Sequence, residues 1–279
     1  MPWIPELFTA PALARIWEDE RRRRLALVPF FAGVMTGETS ALVESFAGEP
    51  EVHHPVRGRI KGVAAFERFV TETRTWLAER NVALEDVDFV LTPGRGVEEL
   101  VLHLDSSERR VELPVAIASD HDERGRIVEQ RVYFSSWPLA GGHAIRPPVL
   151  QPDPDVREPD VVGDYQRALA AGDIDAVMAA FEPDAYVREP AGGAFTHRGT
   201  HELRALYELF FSNGGGIQLE QCAVTDDGRA CALEYNVVGW GRTALPPEAG
   251  LAVYVRGLSG RLAAARIYDD ADPPLRPRS

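Results

Sequence analysis

The sequence predicts an α+β protein built as two tandem cone-shaped units, each a curved antiparallel sheet wrapped around helices. Three observations carry this. The stretch Phe30 to Pro55 recurs 135 residues later as Tyr165 to Pro190. In both copies helical periodicity comes first and strand-like alternation follows, the element order of an α+β unit. Between the copies, Pro138 to Pro159 carries prolines at 138, 147, 148, 152, 154 and 159 together with Gly141-Gly142. That composition reads as an extended, semi-rigid linker.

The repeat can be matched position by position: Gly37 with Gly172, Ala41 with Ala176, Phe46 with Phe181, Val52 with Val187 and Pro55 with Pro190. Gly125-Arg126 then matches Gly260-Arg261, and Arg131-Val-Tyr133 matches Arg266-Ile-Tyr268. Gly62 pairs with Gly199, so the central loop of the second copy is two residues longer. Shared turn glycines and aromatics in one order point to duplication. The expected units are 12–137 and 160–274, joined by the linker 138–159.

In the first copy, residues 1–11 hold two prolines and read as an arm. Leu13, Ile16, Trp17, Leu25, Val28 and Phe31 recur at helical spacing, predicting a helix or helix pair to Gly37. Thr39 or Ser40 caps a short helix from Ala41 to Phe46. Glu51 to Pro55 reads as a strand end, because proline pushes its predecessor out of the helical region. A helix through Phe66, Phe69, Val70 and Trp76 follows, then strands over 82–91, 98–104, 110–118 and 126–134. In the second copy Asp160 caps a helix through Tyr165 and Leu169, and a short helix follows Gly172-Asp173. A strand ends at Pro190, and Thr200 opens a helix through Leu203, Leu206 and Phe210 that Gly214-Gly-Gly216 stops. Strands over 217–224, 230–238, 250–256 and 262–268 close the unit.

Composition removes several function classes. The chain has 279 residues, 45% of them apolar, enough for two ordinary cores. Its net charge is -13, and the only basic run, Arg21 to Arg24, follows Glu18-Asp-Glu20 as a solvated helical face would. No nucleic-acid partner is expected. Cys222 and Cys231 show no metal or disulfide spacing and read as buried thiols of a reducing compartment. The absence of a leader-like or spanning apolar run predicts a cytoplasmic protein with no membrane partner. His53-His54, and His197 with His201, lack metal-ligand spacing, so no metal is expected. No phosphate loop, dinucleotide fingerprint or serine-nucleophile motif appears, so no cofactor is expected.

The candidate chemistry lies in Tyr186-Val-Arg-Glu189. Alternation puts Val187 and Glu189 on one face, and the match of Val187 to Val52 suggests that this face is inward. Glu189 and its counterpart His54 would then reach the cavities enclosed by sheet and helices. A carboxylate there is desolvated and becomes a usable base near neutral pH. Tyr165, one turn before Leu169 on the apolar side of its helix, could present its hydroxyl to the same space and donate to a developing oxyanion. Glu220 and Glu234 lie on strands expected to line the cavity, and paired carboxylates would suit epoxide opening. Asp269-Asp270-Ala-Asp272 reads as a polar C-terminal turn.

A tyrosine seven residues before Gly-Asp, an acid directly before proline, and a loop to glycine and a helix resemble the ketosteroid isomerase, SnoaL-like polyketide cyclase and wider NTF2-like group. Here these are Tyr165, Gly172-Asp173, Glu189-Pro190 and Gly199. The likeness covers residues 160–272, and 24–137 more loosely. It implies Tyr165 as oxyanion donor and Glu189 as base, the pairing of tyrosine and carboxyl chemistry that ketosteroid isomerases use. It also implies assembly through the sheets, hence an internal pseudo-dimer or a homodimer. The family's second acid falls near Ala252 here, so Tyr254 or Trp240 would have to supply the other donor. In the first copy Phe30, His54 and Ile117 replace tyrosine, acid and donor, which makes its site degenerate. The expected function is cofactor-independent proton transfer on an apolar small molecule: isomerisation, cyclisation or dehydration. Epoxide opening by paired carboxylates, or ligand binding without catalysis, are the alternatives.

Overall fold

The computed structural model describes residues 33–35, 38–106 and 109–275. The expected N-terminal arm, most of the first helix, the Arg21–Arg24 run and Phe30 lie outside the described residues. The first unit holds α1 (Thr39–Glu44), β1 (Glu51–His54), β2 (Gly58–Lys61), α2 (Val63–Glu79), β3 (Ala83–Thr92), β4 (Arg95–Asp105), β5 (Arg110–His121) and β6 (Ile127–Tyr133). After α3 (Trp137–Ala140), the second unit holds α4 (Asp160–Ala171), α5 (Ile174–Ala180), β7 (Phe181–Arg188), β8 (Thr196–Arg198) and α6 (Gly199–Phe210). It closes with β9 (Ile217–Asp226), β10 (Ala230–Trp240), β11 (Thr243–Arg256) and β12 (Leu262–Ile267). No helix among the described residues is long and apolar enough to cross a membrane.

The strand orders, β2-β1-β6-β5-β4-β3 and β8-β7-β12-β11-β10-β9, are the same order written twice. In each sheet one pair is parallel, β1 with β6 and β7 with β12, and all others are antiparallel. The short strands β2 and β8 are not expected from the sequence. Four and three residues long, they are too short to display alternation.

Local chemistry sets the helix ends that frame the second cavity. Gly172 ends α4 with φ 69°, and a Cβ there would come within 2.8 Å of the Gly216 nitrogen. Only glycine allows both that backbone and that approach. Asp173 then accepts from the Ala176 N–H and starts α5. Two expected caps differ: α1 includes Thr39 and begins after Glu38 with no side-chain cap, and α4 begins at Asp160 itself. Asp160 instead pairs with Arg256 at 2.9 Å.

Each sheet buries its inner face against its own helices. In the first unit Phe66, Phe69, Val70 and Leu77 of α2 meet Leu100, Leu102, Leu113 and Ile117. In the second, Tyr165, Leu169, Leu203 and Tyr207 meet Leu233, Tyr235, Ala252 and Tyr254. The outer faces pack on one another through small and branched residues: Val90, Val97, Ala116 and Ala118 against Ala230, Ala232, Ala249, Leu251 and Val253. Two reciprocal ion pairs sit within that contact. Arg131 forks onto Glu234 at 2.6 and 3.0 Å, and the Tyr133 hydroxyl donates to the same carboxylate at 2.8 Å. Arg266 forks onto Glu99, with Nε at 2.8 Å, and the Tyr268 hydroxyl donates to it at 2.6 Å. The matched Arg-x-Tyr segments thus serve the same role on opposite units.

That interface corrects the expectation for Glu234. Along β10 the inner face takes Leu233, Tyr235 and Val237, whereas Glu234 shares the outer face with Ala230 and Ala232. It is a partner of Arg131, not a cavity carboxylate. Glu220 is exposed while its neighbour Leu219 lines the cavity, so it too leaves the site.

Residues 141–159 do not hang free between the units. Asp270 accepts from the Ser135 and Ser136 hydroxyls, from the Ser136 and Ala144 N–H groups, at 3.0 and 2.8 Å, and contacts His143 at 3.0 Å. Arg146 donates to the carbonyls of Val132 and His53 and lies over the Tyr133 ring.

Candidate active site

The second unit encloses a cavity of about 320 Å³ between α4, α6 and the inner face of its sheet. Its walls are aromatic and aliphatic, with Tyr165, Tyr207, Phe210, Tyr235, Trp240 and Tyr254 supplying most of the rings. Phe195 and Leu275, both about 39% exposed, stand at its rim. Trp137 and His143, stacked with centroids 4.9 Å apart, cover it from the inter-unit segment.

Glu189 and Tyr165 both line this cavity. Glu189 follows β7, where Val187 also faces inward and Arg188 turns to the Tyr268 ring on the opposite face, as alternation requires. The Glu189 carboxylate is about one-fifth exposed and meets His197 Nε2 at 2.6 Å. This histidine comes from β8, paired antiparallel with β7, and orients the acid.

Tyr165 is buried on α4, and its hydroxyl lies 2.9 Å from that of Tyr207 on α6. Burial pushes the Tyr165 phenol up to about 12, partly offset by its bond to Tyr207. Burial also raises Tyr207 well above the usual phenol range, and the nearby Tyr165 and Glu189 groups add to this. Either hydroxyl can donate in this pair; in the arrangement where Tyr207 donates to Tyr165, the Tyr165 O–H is left for a ligand. Tyr254 repeats the arrangement: its oxygen accepts from Gln166 Nε2 at 2.8 Å, leaving its own hydrogen for the cavity. Trp240 contributes its ring but no donor, because its indole N–H is given to the Phe210 carbonyl at 2.8 Å. Tyr254, not Trp240, can therefore stand beside Tyr165.

Three participants go beyond the sequence expectation. Tyr207 continues the 203–206–210 apolar stripe of α6, so its helical spacing is a usable signal. On sequence spacing His197 is considered only as a metal ligand, and that role is set aside. Asp269 reads as part of a polar turn, yet it lines the cavity and accepts from the Tyr235 hydroxyl at 2.8 Å. Burial, with the Asp270 charge adding, lifts its carboxyl to about 6 despite the Tyr235 bond. Glu248, almost fully buried on β11, is lifted to about 7 by burial and by Asp269 and Asp270.

His54 does not approach this cavity; it lines a separate one in the first unit. Among the described residues, Glu51, His53 and Glu129 bring potential ligand atoms within 4.8 Å of one another. Arg59 and Lys61 already pair with Glu51 at 2.6 and 2.8 Å, and Arg131 with Glu129 at 2.7 Å. Those acids are neutralised by the protein's own cations.

Residues 162–259 match the model of the SnoaL-like domain family. No curated protein matches the chain. Among solved structures, a Sinorhizobium meliloti protein provisionally assigned as a polyketide cyclase is 24% identical, the match covering 39% of this chain and 94% of that one, with a TM-score of 0.34. An epoxide hydrolase/cyclase-like enzyme described for pyran ring formation in the polyether salinomycin is 21% identical over 41% of this chain and 90% of that one, TM-score 0.33. A SnoaL-like protein of unknown function from Burkholderia thailandensis is 18% identical over 39% and 90%, TM-score 0.33. The second unit of the chain matches the SnoaL-like domain family, and the first repeats its α+β strand order in tandem.

Proposed function

We propose that the second unit is a cofactor-independent enzyme that moves a proton on an apolar, carbonyl-bearing small molecule, with Glu189 as the base and Tyr165 as the principal oxyanion donor. The observation that carries this is the convergence of Glu189 and the Tyr165–Tyr207 pair on one largely apolar cavity. The SnoaL-like match supports an isomerase- or cyclase-type activity. A substrate carbonyl oxygen accepts from Tyr165 and Tyr254. Glu189, held by His197, removes a proton from the adjacent carbon, and the C–H electrons pass into the enolate. Return of that proton to another carbon is isomerisation; attack of the enolate carbon on a second carbonyl forms the ring bond of a cyclisation. Solvent-deuterium incorporation into a panel of cyclic ketones and 1,3-dicarbonyl compounds tests this. The wild type is expected to exchange and Glu189→Gln to be inert; full exchange by that variant would sink the reading, and no exchange by either would favour a binder.

A second reading is favoured by Asp269. With its carboxyl raised to about 6, an appreciable fraction is protonated near neutrality. Asp269 could then give its proton to an epoxide oxygen as the C–O bond breaks, while Glu189 takes one from the attacking hydroxyl or water. This is the paired-carboxylate chemistry expected of Glu220 or Glu234, relocated to a residue that faces the cavity. Asp269→Asn should abolish epoxide opening and spare deuterium exchange; retention of epoxide opening would remove this reading.

A further inference from the structure

The first unit encloses its own cavity of about 230 Å³, with Trp76, Leu102, Leu113, Val115 and Phe134 in its walls. Its polar centre is His54, at the position matched to Glu189. The ring is fixed on one side: Nδ1 accepts from the backbone N–H groups of Val56 and Arg57 at 3.2 and 3.3 Å. It is clamped edge-on between Phe69 and Phe134, with centroids 5.5 and 5.4 Å away. Burial, with Arg146 and Arg57 adding, holds it neutral by lowering its pKa to about 3. A neutral imidazole whose Nδ1 is an acceptor carries its hydrogen on Nε2. Among the described residues that N–H meets no acceptor, and no carboxylate lines the cavity. Among the described residues the charged groups acting on His54 are Arg146 behind it and Arg57 at the wall, the latter also paired with Glu72; the cationic side facing the ring disfavours an ammonium.

We propose that the first unit's cavity is a second ligand site, taking a compact uncharged apolar molecule through one carbonyl oxygen that accepts from His54 Nε2–H. The site has a donor where the second unit has a base. It binds such a molecule without removing a proton from it, and it does not depend on the reaction proposed for the second unit.

The probe is 1-indanone, with indane as the same skeleton lacking the acceptor. In the full chain labelled with ¹⁵N-histidine, the His54 Nε2 resonance, identified by its loss in His54→Phe, is expected to move as 1-indanone is added to millimolar concentration. Indane should leave it nearly unmoved. A calorimetric titration of Leu219→Trp, which narrows the second cavity, should still show 1-indanone binding. Adding His54→Phe should weaken that binding about three- to tenfold, the range for one hydrogen bond, and leave indane affinity unchanged. A His54 resonance unmoved at the highest 1-indanone concentration overturns the proposal, as it would if the chain's own side chains filled the cavity. Equal affinities for the two probes in the His54 protein overturn it as well. The resonance test uses unsubstituted protein and so stands even if a variant fails to fold.

Discussion

The two units share a strand order and differ in what they place at one matched position, His54 against Glu189. In the second unit the segment after β7 is followed by Pro190, Phe195 and the hairpin to β8, which brings His197 to the carboxylate. In the first, the chain turns directly after His54, and the turn's N–H groups tie down the ring's acceptor nitrogen. The longer loop of the second copy thus leaves an acid open to a cavity, and the shorter loop leaves a neutral donor. Their surroundings also carry opposite charge: Arg57 and Arg146 face His54, whereas Asp269, Asp270 and Asp272 collect beside the second cavity. A duplicated scaffold can therefore keep its packing while inverting the polarity of its cavities.

The sharpest way to break this contrast is Glu189→Gln, expected to slow proton exchange by roughly 10²- to 10⁴-fold, the usual contribution of a general base. Measuring exchange rates against the wild type checks it, and a loss below tenfold would make the two units functionally alike. The reciprocal ion pairs test the symmetry of the interface. Arg131→Met and Arg266→Met each strand a buried carboxylate, Glu234 or Glu99, and should each cost about 3–5 kcal/mol in urea denaturation. Adding Glu234→Leu or Glu99→Leu should recover most of it. Unequal losses would show that the two halves of the contact are not equivalent.

Acid should distinguish the two units. His54 has a folded pKa near 3 against an ordinary 6.5, so its contribution is complete above about 6.5 and is lost as pH falls towards 3. The total is on the order of 5 kcal/mol. The difference in denaturation midpoint between wild type and His54→Phe, followed from pH 7 to 4, reads it. Glu248 runs the other way. Its folded pKa is near 7 against 4.5, so its contribution is complete below about 4.5 and is lost as pH rises through 7, about 3 kcal/mol in all. Glu248→Gln should flatten that slope between pH 5 and 8; an unchanged slope would place the titration elsewhere. The smallest expected effect is that of Tyr207→Phe, which removes one hydrogen bond to Tyr165 and should slow exchange by about tenfold or less. A larger loss would make Tyr207 itself the donor.

The repeat, the element order and the pairing of Tyr165 with Glu189 on one cavity were legible because each rests on local regularities. These are helical spacing before Leu169, two-residue alternation through Val187, and glycines where the chain must turn. Other features were illegible for definite reasons. In Ala-Cys-Ala-Leu-Glu-Tyr-Asn-Val, β10 is buried on both faces, one by helices and one by the other unit, so no polar face marks which way Glu234 points. Its large apolar residues do alternate with small and polar ones, a signal that could have oriented it. Asp269 gave no such signal, since it leaves the last strand just as any polar turn would.

The sequence by itself therefore determined the architecture, its duplication and which copy holds the acid and the tyrosine, because periodicity and turn chemistry act between near neighbours. Only the tertiary structure decided that Glu234 belongs to Arg131, that Asp269 belongs to the cavity and that Trp240 has already given its N–H away. Each of those outcomes joins groups at least 30 residues apart. A charge or donor is assigned by whichever partner burial brings to it, and burial is fixed only when the sheets close on their helices and on each other.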